Sequence, residues 1–266
     1  MISFNQLGNL GRLGNQMFQY ASLRGIAANR GFDFCIPPKS YFGVVDPNVK
    51  NSNVDIHNTF NISHTQTEVT HYKSVEESLY GFDEELFNNC EDEIDLVGYF
   101  QSEKYFKHIE EDIRKDFTFS KELVKNCSDF IDEIDSNREV ISLHIRRGDY
   151  LSLQSFHPTP PIEYYEEALK QLPNSPVLIF SDDPEWCLNQ PLFESDRFLI
   201  SELNTADFDM CIMTMCKYHI MANSSFSWWA SWLSKSENVI APKVWFGPSL
   251  SHKDTSDLYC DGWIKL

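Results

Sequence analysis

The most concentrated set of side chains able to do chemistry lies in the segment VISLHIRRGDY, residues 140–150. An apolar run leads into His144, Arg146 and Arg147, and Asp149 follows two residues later. The run predicts a buried strand, which puts both arginines at its carboxyl end. A guanidinium presents a planar fork of N–H donors that matches phosphate oxygens. The alternative is that the arginines form salt bridges with some of the chain's many carboxylates.

Two more predicted strand ends carry polar side chains. One has Ser181, Asp182 and Asp183; the other, just before a helix, has Asn223, Ser224, Ser225 and Ser227. A helix N-terminus offers backbone N–H groups to an anion, and a carboxylate accepts hydrogen bonds from ribose hydroxyls or guanine N–H groups. The three strand ends together predict a pocket for a nucleoside diphosphate. Taken singly, the serines could be only a helix N-cap, and the aspartates could merely begin the next helix.

The glycine-rich segment GNLGRLGNQ, residues 8–16, precedes another predicted helix. It has neither the GxGxxG spacing of a dinucleotide fold nor the GK[ST] of a P-loop. Arg12 and Asn15 nevertheless lie at the start of a helix that follows the first strand, so they predict a second strand-end site. The alternative is a plain turn that begins a helix.

The elements that must position these residues differ between the two halves of the chain. From residue 139 onward, predicted strands at 139–145, 175–183, 197–201, 217–225 and 238–246 alternate with helices. This alternation predicts a parallel sheet, in which ligands lie at the carboxyl ends of the strands. The first half predicts a strand, a helix ending at Gly31, a strand at 32–37, irregular surface at 46–75, a strand from 95 and charged helices at 107–135. We therefore expect an α/β protein of two domains, residues 1–138 and 139–266.

Net charge restricts the partners of the protein. The 266 residues contain 40 acidic and 22 basic side chains, which gives a formal net charge of -18. Such a field disfavours nucleic acid and anionic membrane surfaces, so we expect neither as a partner. An anionic ligand would require a local basic site.

Cysteine spacing and hydropathy point to a reducing compartment. The seven cysteines include no CxxC pair, which argues against a disulfide framework and a zinc site and favours free thiols. The first 16 residues do not resemble a signal peptide, and no apolar window is long enough to span a membrane. We expect a cytoplasmic protein.

Two remaining motifs have structural interpretations that we favour. Trp228, Trp229 and Trp232 have the spacing of a buried helix face. Asp207 and Asp209 form a DxD sequence like the metal-binding motif of some glycosyltransferases, but they fall inside a predicted helix rather than in a loop after a strand. We therefore expect no metal site.

The motifs LGRLGNQMFQYA, HIRRGDY, FSDD and NSSFSWWASWL resemble, in order and rough spacing, those of the α-1,2-fucosyltransferases, glycosyltransferase family 11. The resemblance extends from residue 8 to about 245. It implies a GT-B fold, in which two Rossmann-like domains face a cleft. The C-terminal domain would bind GDP-fucose, and the N-terminal domain would lie on the acceptor side.

Residue matching within this resemblance implies individual roles. Arg146 would pair with the β-phosphate, with Arg147 as support, and His144 would line the nucleotide pocket. Asp182 would meet guanine or ribose, and Ser225 and Ser227 would lie beside the diphosphate. A similar glycine-rich opening in protein O-fucosyltransferases implies that Arg12 and Asn15 approach the fucose.

The implied reaction is an inverting transfer of L-fucose from GDP-β-L-fucose to O2 of a terminal β-galactoside, without a metal or other cofactor. Asp149 is either the general base for the acceptor hydroxyl or a brace for the arginines. Two alternatives remain open: a GDP-fucose-dependent enzyme that makes another linkage, and a binding module for glycan or nucleotide that has lost catalysis.

Overall fold

The computed structural model describes residues 1–39, 54–62, 70–201 and 205–266. They form two compact units. Unit 1 contains Met1–Ser120 and Lys253–Cys260, and unit 2 contains Lys121–His252 and Asp261–Leu266. No helix in the described ranges is long and apolar enough to span a membrane.

Unit 1 is built on a parallel sheet with helices. In chain order its elements are β1 (Ile2–Ser3), α1 (Leu13–Arg30), β2 (Phe34–Cys35), α2 (Ile56–Thr59), β3 (Lys73–Glu76), α3 (Glu84–Asn89), β4 (Ile94–Val97) and α4 (Glu110–Asp116). The strand order is β2-β1-β4-β3, and each described pairing is parallel. Helix α1 is buried along most of its length and ends at Gly31, whose φ of 70° suits a residue without a Cβ.

Unit 2 contains the larger sheet. Its elements are α5 (Lys121–Ile134), β5 (Ile141–Ile145), α6 (Ile162–Lys170), β6 (Val177–Ser181), α7 (Pro184–Leu188), β7 (Phe198–Ile200), α8 (Ala206–Met215), β8 (Tyr218–Ile220), α9 (Ser225–Ser234), β9 (Val239–Ala241) and β10 (Ile264–Lys265). The parallel order β10-β9-β8-β5-β6-β7 is the Rossmann order, with β5 and β8 at its centre.

The division into units differs from the predicted boundary at 138/139 in two places. Helix α5 belongs to unit 2, because it packs on α8: the Phe130 and Phe208 rings lie 6.3 Å apart, and Cys127 is fully buried. The segment Lys253–Cys260 belongs to unit 1, where an oxygen of Asp257 accepts the Phe82 N–H at 3.1 Å. Apolar pattern alone does not show which neighbour an amphipathic helix or a short return segment will pack against.

Most predicted elements are confirmed, including every strand of the second half, although several are shorter than predicted. The prediction of irregular surface at 46–75 is wrong at α2 and at the start of β3, which lie within it. The other described residues of the range form no helix or strand, and residues 46–53 and 63–69 lie outside the described residues. Strand β3 escaped notice because three of its four residues are exposed, so it lacks an apolar face.

The core and the thiols follow the sequence interpretation. Trp228 and Trp229 are fully buried and Trp232 nearly so, with ring centroids 5.0–6.4 Å apart. The seven cysteines, all within the described residues, form no disulfide; six are buried and Cys260 is partly exposed.

Gly25 allows α1 to approach the Tyr105–Phe106 backbone. A Cβ at this position would overlap the carbonyl group of Tyr105, which cannot move as freely as a side-chain tip. We expect Gly25→Ala to cost about 1–3 kcal/mol, which for a chain of this size lowers Tm by roughly 2–12 °C. The control Gly31→Ala adds a methyl into open space and strains only a left-handed backbone. Calorimetry in which Gly25→Ala melts no lower than Gly31→Ala would contradict the close-packing argument.

Candidate functional site

The predicted strand-end residues of unit 2 meet at one edge of its sheet. Strand β5 pairs with β8 on one side and with β6 on the other, in registers Leu143↔Ile220 and Ile145↔Ser181. The chain runs outward in opposite directions from β5 and β8, so a crevice opens beyond their carboxyl ends. The structure brings to this edge His144, Arg146, Arg147, Asp149, Ser181, Asp182, Asn223, Ser224, Ser225 and Ser227.

Arg146 is held from three sides. Its Nη2 donates to Asp149 Oδ1, and its Nη1 lies 2.7 Å from Asp182 Oδ2. The guanidinium also lies 5.3 Å from the ring centroid of Tyr150, whose hydroxyl donates to the Asn223 carbonyl at 3.2 Å. The fork therefore has a defined position between the ends of β5, β6 and β8, and its five N–H donors are not exhausted by two carboxylates.

Arg147 has a different environment. Its Nε donates to Asp183 Oδ2 at 3.0 Å, and its guanidinium stacks 4.1 Å from the centroid of the Trp186 ring. Asp183 in turn caps α7 by accepting the Trp186 N–H. Arg147 is thus built into the start of α7, which gives it a supporting role. The sequence interpretation overlooked Trp186, although a planar cation two residues from a strand end invites an aromatic partner.

Asp182 joins the first two strand ends. One of its oxygens accepts the backbone N–H of Arg147 at 2.8 Å, and the other pairs with the guanidinium of Arg146. A Cβ on Gly148 would lie 2.4 Å from Oδ2 of this carboxylate, so a larger residue there would have to displace the Asp182 side chain. Both arginines therefore form salt bridges with aspartates, as one of the two sequence interpretations predicts. The ligand role of Arg146 stays a prediction.

His144 is an uncharged member of the site. Burial first, and the Arg146 charge second, lower its pKa to about 3. Its ring lies 5.6 Å from the Phe226 ring, and Nδ1 finds no hydrogen-bond partner among the described residues. The imidazole is neutral at physiological pH, so it adds no cation to the site.

The four predicted residues at the start of α9, Asn223, Ser224, Ser225 and Ser227, have different contacts. Ser224 caps the helix by accepting the Phe226 N–H at 3.3 Å, and Ser225 is partly exposed. The Ser227 hydroxyl is buried and donates to backbone carbonyls of the same turn. The Asn223 amide donates to the Pro158 and Trp245 carbonyls. Asn223 and Ser227 therefore shape the edge, and the N–H groups of the first turn provide its positive end.

Ser181 supports the same edge from β6. Its hydroxyl oxygen accepts the Asp183 N–H at 3.0 Å, which fixes the turn that carries Asp182 and Asp183. Its predicted contact with a ligand remains a prediction.

Arg12 and Asn15 lie in unit 1, at the start of α1. Arg12 is the exposed N-cap residue of this helix, and the Asn15 side chain lies across Gly11, whose φ is 84°. Asn15 Oδ1 accepts from Gln101 Nε2 at 2.7 Å. Because α1 follows β1, these residues occupy the strand-end position that the sequence predicts.

The DxD sequence does not form a loop site. Asp207 and Asp209 lie in the first turn of α8, and Asp209 accepts a hydrogen bond from the Ser201 hydroxyl at 2.6 Å. Within the described ranges, no three His, Cys, Asp or Glu side chains are grouped as metal ligands would be.

The family model for glycosyl transferase family 11 matches residues 2–266, essentially the whole chain. The chain belongs to glycosyltransferase family 11. An Escherichia coli O-antigen biosynthesis glycosyltransferase, WbnK, is 32% identical over 68% of this chain and 65% of its own length. The α-1,2-colitosyltransferase of Escherichia coli is 31% identical over 96% of both chains. Galactoside α-(1,2)-fucosyltransferase 1 of Alouatta caraya is 27% identical over 86% of this chain. The chain covers 65% of the length of that fucosyltransferase. It thus spans less than two thirds of the length of two of these relatives, WbnK and the Alouatta caraya protein.

Solved structures agree with the family 11 assignment at the level of fold. The fucosyltransferase NodZ from Bradyrhizobium aligns with a TM-score of 0.55 over 86% of this chain and 90% of its own, at 14% identity. POFUT1 in complex with GDP aligns with a TM-score of 0.53 over 88% and 94%, at 11% identity. The predicted α/β fold of the GT-B type is confirmed.

The neutral state of His144 has a measurable consequence for stability. In the unfolded chain this imidazole ionises near its usual pKa of about 6.5, whereas in the folded protein it stays neutral down to about pH 3. Unfolding between these values takes up a proton, so the histidine makes the free energy of unfolding fall as pH falls below about 6.5. We expect His144→Gln to reduce the slope of unfolding free energy against pH between 4 and 6.5, by at most ~1.4 kcal/mol per pH unit. Urea titrations with unchanged slope in the variant would contradict a buried neutral imidazole.

Proposed function

We propose that the protein transfers L-fucose from GDP-β-L-fucose to O2 of a terminal β-galactoside, with inversion and without a divalent metal. The observation that carries this proposal is the placement of Arg146 and the start of α9 at the central crevice of the Rossmann-ordered sheet. Family 11 membership and the names of the α-(1,2)-fucosyltransferase relatives support the donor and the linkage. In this proposal unit 2 binds GDP-fucose and unit 1 lies on the acceptor side.

The phosphate end of the donor requires positive charge, because the leaving diphosphate gains negative charge as the glycosidic bond breaks. The edge contains two arginines and three aspartates, so its formal charge is not positive. The diphosphate must therefore be attracted by donors that point at it rather than by net charge. These donors are the Arg146 guanidinium and the N–H groups at the start of α9, which has no acidic residue in its first turn. Asp149 and Asp182 hold the fork in place before the donor arrives.

The roles of the carboxylates follow from their partners. Asp182 accepts the Arg147 N–H through one oxygen, which leaves lone pairs for a ribose or guanine donor. Asp149 is paired with Arg146, which favours the brace over the general base. Arg12 and Asn15 would contact the fucose from the start of α1.

One comparison supports a second candidate donor, GDP-colitose. The colitosyltransferase relative covers 96% of both chains, and colitose is the 3-deoxy analogue of L-fucose. The two donors differ in a single hydroxyl. A site that hydrogen-bonds this hydroxyl would reject the deoxy sugar by about 10⁴–10⁵, and a site that packs apolar groups there would discriminate weakly.

Donor competition with EDTA present tests the reaction and its specificity. With GDP-L-fucose and GDP-colitose at equal concentration and lactose as acceptor, we expect the fucosylated product to dominate and the new bond to be α-1,2 by NMR. A colitosylated product would replace the donor assignment, and another linkage would replace the acceptor position. GDP release only after metal addition would overturn metal independence. No GDP release from either donor, with lactose or other β-galactosides, would indicate a binding module.

Arg146 provides the sharpest mutational test. We expect Arg146→Ala to lower kcat by about 10²–10³, because it removes a contact that strengthens as the phosphate gains charge. The matched control is Arg197→Ala: its guanidinium donates to Ser175 and Pro173 carbonyls just before β6, away from the carboxyl ends of the strands. Normal turnover in Arg146→Ala, or an equal loss in Arg197→Ala, would remove Arg146 from the mechanism.

A further inference from the structure

The proposed reaction lacks a proton acceptor, and unit 1 has a carboxylate in a suitable position. Its strand order is β2-β1-β4-β3, so the segments that follow the neighbouring parallel strands β1 and β4 leave the sheet at the same edge. The loop after β1 leads to Arg12 and Asn15, and the segment after β4 is Gly98–Phe100. Glu77 follows β3 and reaches this segment from the neighbouring strand.

Glu77 has a fixed position. Its Oε2 accepts the Tyr99 N–H at 2.8 Å, and its Oε1 accepts the Phe100 N–H at 2.9 Å. The backbone there is strained: Phe100, fully buried, has a φ of 52°, and Gly98 has a φ of 152° with no space for a Cβ beside Glu77. Left-handed backbone at a bulky residue is costly and persists where surrounding contacts impose it, often at functional sites. A carboxylate has about four lone-pair positions, so two backbone donors leave room for a third donor.

The surroundings of Glu77 suit a sugar. Tyr99, whose backbone N–H binds the carboxylate, is 40% exposed, and Leu79, two residues after Glu77 in the chain, is 56% exposed, so exposed apolar side chains flank this glutamate in the sequence and at its hydrogen bond. A chain of polar side chains runs from Tyr80 through Gln101 to Asn15: the Tyr80 hydroxyl donates to Gln101, whose amide donates to Asn15. Glu77 therefore shares the strand edge with a residue that we place beside the fucose.

We propose that Glu77 is the catalytic residue that takes the proton from the acceptor hydroxyl. The inference rests on the proposed function and deepens it. As the acceptor oxygen forms its bond to C1 of fucose, its proton passes to a Glu77 carboxylate oxygen. The electron pair of the breaking C1–O bond goes to the β-phosphate of GDP. Protonated Glu77 then returns its proton to water.

The electrostatics of Glu77 fit this role. Burial, the largest effect, raises its pKa to about 7, against the two backbone hydrogen bonds and Lys253, which lower it, while Asp83 raises it further. Tyr105 also interacts electrostatically with this carboxylate. A base with a pKa near the working pH combines a useful ionised fraction with proton affinity. The ionised form is the active one, so activity should increase with pH through about 7.

Glu77→Gln tests the inference, with Glu76→Gln as matched control: Glu76 is the exposed neighbour on β3, and both variants replace one carboxyl group by an amide of the same shape. With GDP-fucose and lactose, we expect Glu77→Gln to lower kcat by about 10²–10⁴-fold while KM for GDP-fucose stays within a few-fold. The logarithm of wild-type kcat/KM should fall by one for each pH unit below about 7. This limb should vanish in Glu77→Gln and persist in Glu76→Gln.

Three results would overturn the inference. One is a folded Glu77→Gln enzyme with kcat close to wild type; another is a wild-type profile that stays flat between about pH 6 and 8. The third applies if Glu77→Gln shows no thermal transition and is therefore unfolded. The conservative variant Glu77→Asp is then measured, and a kcat/KM profile that falls at the same pH as that of the wild type would overturn the inference. Absence of fucosyl transfer by the wild type overturns the proposed function itself, whereas transfer by the wild type with an equally active Glu77→Gln overturns the role of Glu77 alone.

Discussion

The carboxylate of Asp182 is the contact on which the candidate site depends. It lies between two strand ends, where it accepts a backbone N–H of the segment after β5 and pairs with the guanidinium of Arg146. Parallel strands end at one edge but do not by themselves fix the loops that follow. The Asp182 carboxylate fixes the segment after β5, because it binds both the backbone and a side chain of that segment. The absence of a Cβ at Gly148 makes room for it. As a consequence, nearby carboxylates neutralise much of the Arg146 charge before any ligand binds.

Both units use this arrangement, with different electrostatic results. In unit 1, Glu77 follows β3 and accepts two backbone N–H groups of the segment after β4, much as Asp182 follows β6 and accepts one from the segment after β5. Asp182 also meets an arginine, whereas no ion pair of Glu77 is found among the described residues. The same structural device therefore gives a fixed anion in one unit and a carboxyl group with a raised pKa in the other.

The sequence was most informative where chemistry and periodicity coincide. The βα alternation of the second half predicts its sheet, and parallel pairing then requires Arg146, Asp182 and the α9 serines to share an edge. The roles within the edge could not be predicted, because they depend on rotamers and neighbours: Ser227 directs its hydroxyl into its own helix, and Arg147 stacks on Trp186. Glu77 was missed since β3 is largely exposed, and a carboxylate gains significance only when a strained turn closes on it.

The distribution of indole rings has a practical consequence. All six tryptophans of the chain lie in unit 2, and three of them pack against one another in the buried face of α9. Unit 1 relies instead on phenylalanine and tyrosine rings, such as Phe4, Phe100 and Tyr105. Intrinsic indole emission therefore reports on unit 2 alone, while far-ultraviolet dichroism reports on both units. Comparing the two signals during denaturation reveals whether the halves melt together or one after the other.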